Sequence, residues 1–412
     1  MRGLLDLILR RFIAVGQLAV VWPDGSSSHY GGAEGPVATL SLKDAAAVRR
    51  LVTDPVLGLG EGYMNGALGP AGCSVYELLD VLVANAMAAG RAHPLLVLHC
   101  TVALWLRRLA QFNPAGRARR NIAHHYDLNG RLYSLFLDRD RQYSCAYFQT
   151  GDETLEEAQA AKKRHIAAKL KLDRPDLTVL DIGCGWGGLA LTLARDWGAK
   201  VTGITLSAEQ LAEARARAEA EGLSARVRFE LMDYRSLAGR FDRVVSVGMF
   251  EHVGVGHYGT FFEVVKRCLA PDGVALLHAI GRSDGPGSTN RWIAKYIFPG
   301  GYSPALSEVL PSIERSGLVV TDIEILRLHY AETLRHWRRR FAANRDAIAS
   351  LYDERFCRMF EFYLAGSELA FRRQGHMVSQ IQLAREQAAV PLTRYYIGEV
   401  ERRAIARRGV AA

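Results

Sequence analysis

Residues 179–194, VLDIGCGWGGLALTLA, place four glycines in the six positions 183–188, directly after a short apolar run and before a helical pattern. Gly183, Gly185, Gly187 and Gly188 permit a tight turn and let main-chain N–H groups approach a ligand at a helix start. A glycine-rich turn that merely packs a helix on a strand has the same composition, so the surroundings must discriminate. Asp181 stands ahead of the glycines, in the spacing DxGxGxG. A dinucleotide site would need GxGxxG with an acid at the tip of the second strand, whereas that strand leads into GITLSAEQ with no acid at its tip. No GK[ST] follows, which excludes a P-loop. A carboxylate at the mouth suits a ligand carrying an ammonium group. S-adenosylmethionine has one, and the spacing leans toward a methyltransferase.

Such a turn needs a strand before it and a helix after it, and the chain offers a series of both. LTVLDIG, AKVTGIT, RVRFELM, FDRVVSVG and GVALLHAIG read as strands, with helices over 188–197, 207–221 and about 259–269. This alternation predicts a doubly wound α/β domain, a Rossmann-like class I methyltransferase fold, with its ligand beyond the carboxyl ends of the strands. Upstream, QLAVVW and VATLSL are strand-like and SVYELLDVLVANAMAAG is helical, without any cluster of reactive groups. The expected division is a smaller, mainly helical N-terminal domain over 1–112, a basic linker over 113–122 punctuated by Asn113, Pro114 and Gly116, and the methyltransferase domain over 123–412.

Composition narrows the class. A chain of 412 residues with 49% hydrophobic content buries a large core, and it has no repeat or low-complexity tract. Its formal charge of +9 and isoelectric point near 9.3 suit an anionic partner, nucleic acid or membrane surface, although over this length a solvated surface accounts for the excess equally well. Six cysteines, at 73, 100, 145, 184, 268 and 357, form no CxxC pair. Reduced thiols in a cytoplasmic protein are expected, with no metal site. Residues 1–22 are apolar but broken by Asp6, Arg10 and Arg11, and the longest apolar run, 94–106, spans 13 residues. Neither matches the roughly 20 residues needed to cross a bilayer. Followed by Arg107 and Arg108, the second stretch would serve as a core helix or lie on a membrane surface.

Beyond the glycine loop, the chain resembles the cyclopropane-fatty-acyl-phospholipid synthases, together with the mycolic acid cyclopropane synthases and their methyltransferase relatives. The likeness is carried by HHYDLNGRLYSLFLD (124–138), YSCAYF (143–148), LDIGCGWGGLA (180–190), GITLSAEQ (203–210), FDRVVSVGMFEHVG (241–254), LLHAIG (276–281), WIAKYIFPGG (292–301) and HYAETLRHW (329–337), in family order. The N-terminal part fits the bacterial phospholipid-acting branch. The resemblance implies that Tyr143, Ser144, Gly183, Gly185 and Gly248 hold the methionine end of the cofactor. Thr205 and Gln210 would take the ribose hydroxyls in place of an acid, and Asp233 and Tyr234 would border the adenine. TLSAEQ also reads as a helix start with Ser207 as cap and Gln210 three residues on, and the two readings are compatible.

Cyclopropanation of a cis alkene requires methyl attack on one carbon, positive charge on the other, loss of a proton from that methyl, and a water-free pocket. Aromatic faces in YFQT, GMF, KYIFPGGY and RMFEFYLA are candidates to stabilise the charge, though most such rings are ordinary core. The resemblance implies a bound bicarbonate as base, with ligands at Cys145, Glu251, His278, Ile280 and Tyr330. Taken singly, Cys145 reads as a small buried hydrophobe, His278 as a strand-end histidine and Tyr330 as a helix anchor. The implied substrate is the unsaturated acyl chain of membrane phospholipids, met by a homodimer at the anionic inner face of the cell membrane, with no nucleic acid as partner. A relative that stops at a methyl-branched or methylene product is the close alternative, and a non-catalytic lipid- or nucleic-acid-binding protein is the distant one. One departure stands out: the family usually has GN where this chain has Asn129-Gly130.

Overall fold

The computed structural model describes residues 1–89 and 130–410. The apolar run at 94–106, the expected linker at 113–122 and Asn129 lie outside the described residues. In chain order, the N-terminal part contains α1 (Arg2–Phe12), β1 (Val15–Val21), β2 (Ser27–Gly31), β3 (Ala33–Leu42), α2 (Ala45–Thr53), α3 (Pro55–Met64), β4 (Leu68–Pro70) and α4 (Val75–Ala89). There follow α5 (Gly130–Phe136), α6 (Leu155–Lys169), β5 (Thr178–Ile182), α7 (Gly188–Trp197), β6 (Lys200–Thr205), α8 (Ala208–Ala220), β7 (Val227–Leu231), β8 (Phe241–Val247), α9 (Tyr258–Cys268) and β9 (Leu269–Arg282). The C-terminal part adds α10 (Arg291–Tyr296), α11 (Leu306–Ser316), β10 (Val319–Leu326), α12 (His329–Ala343), α13 (Arg345–Leu351), α14 (Glu354–Arg373), β11 (His376–Ala384) and α15 (Tyr395–Val410).

Two compact units result: Met1–Arg107 with Ser288–Pro299 and Ala331–His376, and Arg108–Gly287 with Gly300–Tyr330 and Met377–Ala412. The division therefore departs from a simple N-terminal domain followed by a catalytic one, because two later segments join the first unit. Within that unit, a four-stranded sheet in the order β2-β1-β3-β4 accompanies the helices. Leu18 and Val20 of β1 and Leu40 and Leu42 of β3 pack with Leu5 and Leu9 of α1 and Leu78 and Val81 of α4. Trp292 of α10 is buried against Phe362 of α14, ring centroids 4.7 Å apart.

The second unit is a seven-stranded sheet in the order β10-β11-β9-β8-β5-β6-β7. β5 pairs in parallel with β6 and β8, β6 with β7, and β8 with β9, while β10 and β11 are antiparallel. Alternation along β5 divides the core. Leu180 and Ile182 join the cluster of α9 and α11, built on Phe261, Phe262 and Ile313, and Val179 joins that of α6, α7 and α8, built on Ile166, Leu193 and Ala214. Burying helices on both faces requires near-continuous apolar strands, which is how the five sequence segments read. The chain leaves β5 toward β6 on one side and returns to β8 on the other, so strand order reverses between β5 and β8. In a doubly wound sheet the ligand crevice opens there, beyond the carboxyl ends.

Candidate active site

At that reversal point lies a cleft with about 1180 Å³ of open space, its mouth included, lined from the ends of β5, β6, β7 and β8 and from the segment 141–144. Tyr143, Ser144, Asp181, Gly183, Gly185, Thr205, Gln210, Asp233, Tyr234 and Gly248 all border it. Gly185 has φ +54, and a side chain there would meet no atom within 4 Å, so its bare backbone faces open cleft. Gly187 behaves differently. It caps α7 with φ +80, and a Cβ there would lie 2.6 Å from the Phe229 ring and 3.1 Å from Ala214. Helix packing accounts for this glycine, and it does not line the cleft.

Asp181, the penultimate residue of β5, is buried, and its Oδ2 makes no hydrogen bond. Burial pushes its carboxyl up to about 7, opposed by the charge of the Lys162 ammonium. A buried carboxylate oxygen lacking a donor fits an ammonium ligand. Across the cleft, the Thr205 hydroxyl donates to Gln210 Oε1 at 2.9 Å, and Ser207 caps α8 by accepting from the Gln210 N–H at 3.3 Å. The helix-start expectation for TLSAEQ holds, and Gln210 also borders the cleft. Asp233 is engaged by its neighbour Arg235, accepting from Nε at 2.9 Å and from a terminal guanidinium nitrogen at 2.7 Å. Burial raises the Tyr234 hydroxyl to about 12, so it stays a phenol at neutral pH.

The 138–144 segment is held from α6, which sequence reasoning did not single out. Thr154 and Glu157 start this helix with a capping box. Its Lys162 is wholly buried and donates to Gln142 Oε1 and Ser144 Oγ, each at 2.8 Å, while Gln159 Nε2 donates to the Gln142 and Ser144 carbonyls. Burial pulls the Lys162 ammonium down to about 8. The two adjacent lysines in AQAAKKRHIAAK carry no motif signal, and the packing of α6 beneath the loop is what makes them structural. Arg141, Trp186, Met232, Arg235, Met249 and His252 also border the cleft without having been anticipated. Each lies within two positions of a candidate site residue, which is the one sequence signal that would have found them.

Of the five candidate ion ligands, Glu251, His278 and Ile280 meet from the turn after β8 and from β9, and none of the five lines the cleft. Phe250, stacked on Tyr258 at 4.4 Å and edge-on to Phe261 at 5.1 Å, pins the turn after β8 that carries Glu251. Register pairs Val247 with His278, and the Ile280 N–H donates to Glu251 Oε1 at 2.6 Å. The Ile280 amide is thus committed to orienting the carboxylate. Burial raises the Glu251 carboxyl to about 7 and holds His278 well below the usual imidazole range. The Gln380 side-chain amide meets His278 Nδ1 at 3.1 Å. With that amide N–H donating, the ring proton sits on Nε2. Neither His278 Nε2 nor Glu251 Oε2 has a hydrogen-bond partner, and both are buried. One unspent donor and one unspent acceptor fit a small anion that carries a hydroxyl. Cys145 is buried in the segment that α6 holds, and the Lys162 charge acts on both its thiol and His278. The Phe148 N–H donates to His329 Nδ1 at 3.0 Å, which ties that segment to the one bearing Tyr330, itself 8% exposed.

A family model described as "Mycolic acid cyclopropane synthetase" matches residues 114–381, and one described as "Domain of unknown function (DUF7884)" matches residues 6–92. The chain is 41% identical to the cyclopropane-fatty-acyl-phospholipid synthase of Escherichia coli over 350 residues, 84% of this chain and 88% of that protein. It is 38% identical to the tuberculostearic acid methyltransferase UfaA1 of Mycobacterium tuberculosis over 400 residues, 92% of this chain and 90% of that one. Among solved structures, the mycolic acid cyclopropane synthase CmaA1, complexed with SAH and CTAB, is similar with a TM-score of 0.62 at 33% identity, over 66% of this chain and 99% of its own.

Proposed function

Since the chain belongs to the mycolic acid cyclopropane synthetase family and has the class I methyltransferase fold, we propose that it is an S-adenosylmethionine-dependent enzyme that builds a cyclopropane ring on the cis double bond of phospholipid acyl chains. When bound, S-adenosylmethionine supplies an electrophilic methyl group and bicarbonate supplies a base for the proton that methyl must lose. The observation that carries the reading is the pair of buried, unspent polar atoms, Glu251 Oε2 and His278 Nε2, on segments joined to the cleft-lining turn at 248–249, where the Gly248 N–H donates to the His278 carbonyl at 2.9 Å.

In this reading each residue has a separate task. Asp181 neutralises the cofactor's ammonium, Tyr143, Ser144, Gly183, Gly185 and Gly248 hold its methionine end, Thr205 and Gln210 meet its ribose, and Asp233 and Tyr234 border its adenine. His278 would donate through Nε2 to a bound bicarbonate and Glu251 Oε2 would accept from its hydroxyl, and the ion would supply the base. Ile280 acts through Glu251, and Cys145 and Tyr330 complete the enclosure. Keeping His278 neutral and Glu251 near 7 limits the charge repulsion that an anion would meet there. The excess positive charge suits attachment to the anionic inner face of a membrane, and no helix among the described residues is long and apolar enough to cross one. A homodimer is part of the proposal.

The name of the mycobacterial relative that this chain matches over 92% of its length favours a second reading, in which the same alkene is methylated without ring closure. Expression in a host lacking cyclopropane lipids, followed by mass spectrometry of gas-chromatographically separated acyl esters, distinguishes the two. Cyclopropane esters are expected. Methyl-branched or methylene esters would establish the second reading, and unaltered acyl chains would refute both.

A further inference from the structure

Behind the cleft, the second unit buries a set of ionisable groups that the proposed chemistry does not use. His165 of α6 is 4% exposed, and both its ring nitrogens meet carboxylates: Nε2 lies 2.7 Å from Glu324 Oε2 of β10, and Nδ1 lies 2.8 Å from Glu401 Oε1 of α15. Two ionised carboxylates accept from both nitrogens only if both carry protons, so the ring is an imidazolium. Its face stacks on the Tyr147 ring, centroids 4.3 Å apart at 11°, and the Tyr147 ring also stacks with His329, 5.1 Å away at 12°. His329 accepts the Phe148 N–H through Nδ1. One cation thereby ties together α6, β10, α15, the segment holding Cys145 and the start of the helix holding Tyr330.

We propose that His165 is a positioning residue for the reaction, and that its charge, held by Glu324 and Glu401, clamps the two segments bearing Cys145 and Tyr330 in register beside the cofactor cleft. The inference rests on the function proposed above. Other charged or titratable groups facing the cluster are Lys169, which pairs with Glu324 at 2.5 Å and with Asp322 at 3.3 Å, Arg394, which pairs with Asp322, Tyr147, whose hydroxyl meets Glu324, and His278 and Lys162 at longer range. The two carboxylates raise the imidazolium's pKa against the opposing effect of burial. Burial is the main cause that disfavours protonation of His329; Glu324 opposes it and the positive ring adds to it, and the Nδ1 stays an acceptor for Phe148. Loss of the His165 proton at high pH breaks one carboxylate bond and removes that bias.

Glu401→Gln keeps an acceptor for Nδ1 while deleting one charge, and His165→Gln deletes the cation. Exposed Glu399→Gln on the same helix is the control. With unsaturated phospholipid vesicles and S-adenosylmethionine, kcat should fall about tenfold in both cluster variants, the worth of one charge-assisted hydrogen bond. The alkaline limb of the Glu401→Gln profile should move down by about one pH unit, while cofactor affinity by calorimetry and the control stay at parental values. Histidine 15N shifts report the His165 charge without any lipid present. A lower Tm with kcat and pH profile unchanged, or a neutral His165 at pH 7, would overturn the proposal. Failure of the parent enzyme to turn over any unsaturated lipid would refute the proposed reaction instead, with the NMR readout still deciding the charge.

Discussion

Glu251→Gln separates the stability of the site from its chemistry. The unfolded chain ionises this carboxyl near 4.5 and the folded chain near 7, because burial disfavours the charge. A gap of about 2.5 pH units at about 1.4 kcal/mol per unit amounts to about 3 kcal/mol. Because the folded value is the higher one, the contribution is fully present below pH 4.5 and is lost as pH rises through 7. Gln does not titrate, and it retains a carbonyl to accept the Ile280 N–H. The variant should therefore gain on the parent as pH rises, by about 3 kcal/mol between pH 4.5 and 8. Parallel urea unfolding of the two ligand-free proteins at several pH values measures this, since every other titrating group cancels in the difference. Turnover should move in the opposite direction. The Gln amide places a donor where Oε2 offered an acceptor, and release of S-adenosylhomocysteine with unsaturated vesicles should slow by about 100-fold or more, with cofactor binding preserved. A stability difference flat in pH would refute the buried-carboxyl argument, and unchanged turnover would refute the orienting role.

Gly187→Ala should destabilise the chain by about 2 kcal/mol or more, because φ +80 strains an L-residue and the new Cβ would press on the Phe229 ring; thermal unfolding checks it. Gln210→Leu should weaken S-adenosylmethionine binding about tenfold through lost polar contact and lower Tm modestly, because the Ser207 cap survives on the main-chain N–H while the buried Thr205 hydroxyl loses its acceptor. Asp181, held at about 7 by burial, should shed part of a proton when a cationic ligand arrives. Calorimetry near pH 7 in buffers of different ionisation enthalpy should show that release in the parent and none in Asp181→Asn.

The central sheet was legible because its strands are apolar and short and its crossover helices are capped by local signals. Residues 177–221 read correctly to within about a residue at each element, since both the glycine turn and the Ser207 cap are local devices. Roles that depend on distance were not legible. Gly187 looked like its neighbour Gly185, yet its fate is decided by Phe229, 42 positions away, which no spacing rule reports. The C-terminal strands β10 and β11 carried no turn or periodic signal strong enough to read, and β11 takes its place in the sheet out of chain order.

What the amino-acid sequence determined by itself was the kind of ligand and the place for it: an acid before a glycine turn at the end of a strand, bordered by Thr205 and Gln210 instead of a second acid. Tertiary structure alone decided charge states and partners. Burial moved Asp181, Glu251 and Lys162 toward neutrality, and folding made the lysine pair of α6 a support for the segment 138–144. The physical reason is that hydrogen-bond geometry and backbone conformation act over a few residues, whereas solvation and Coulomb energy depend on everything within several ångströms, from whichever part of the chain it comes.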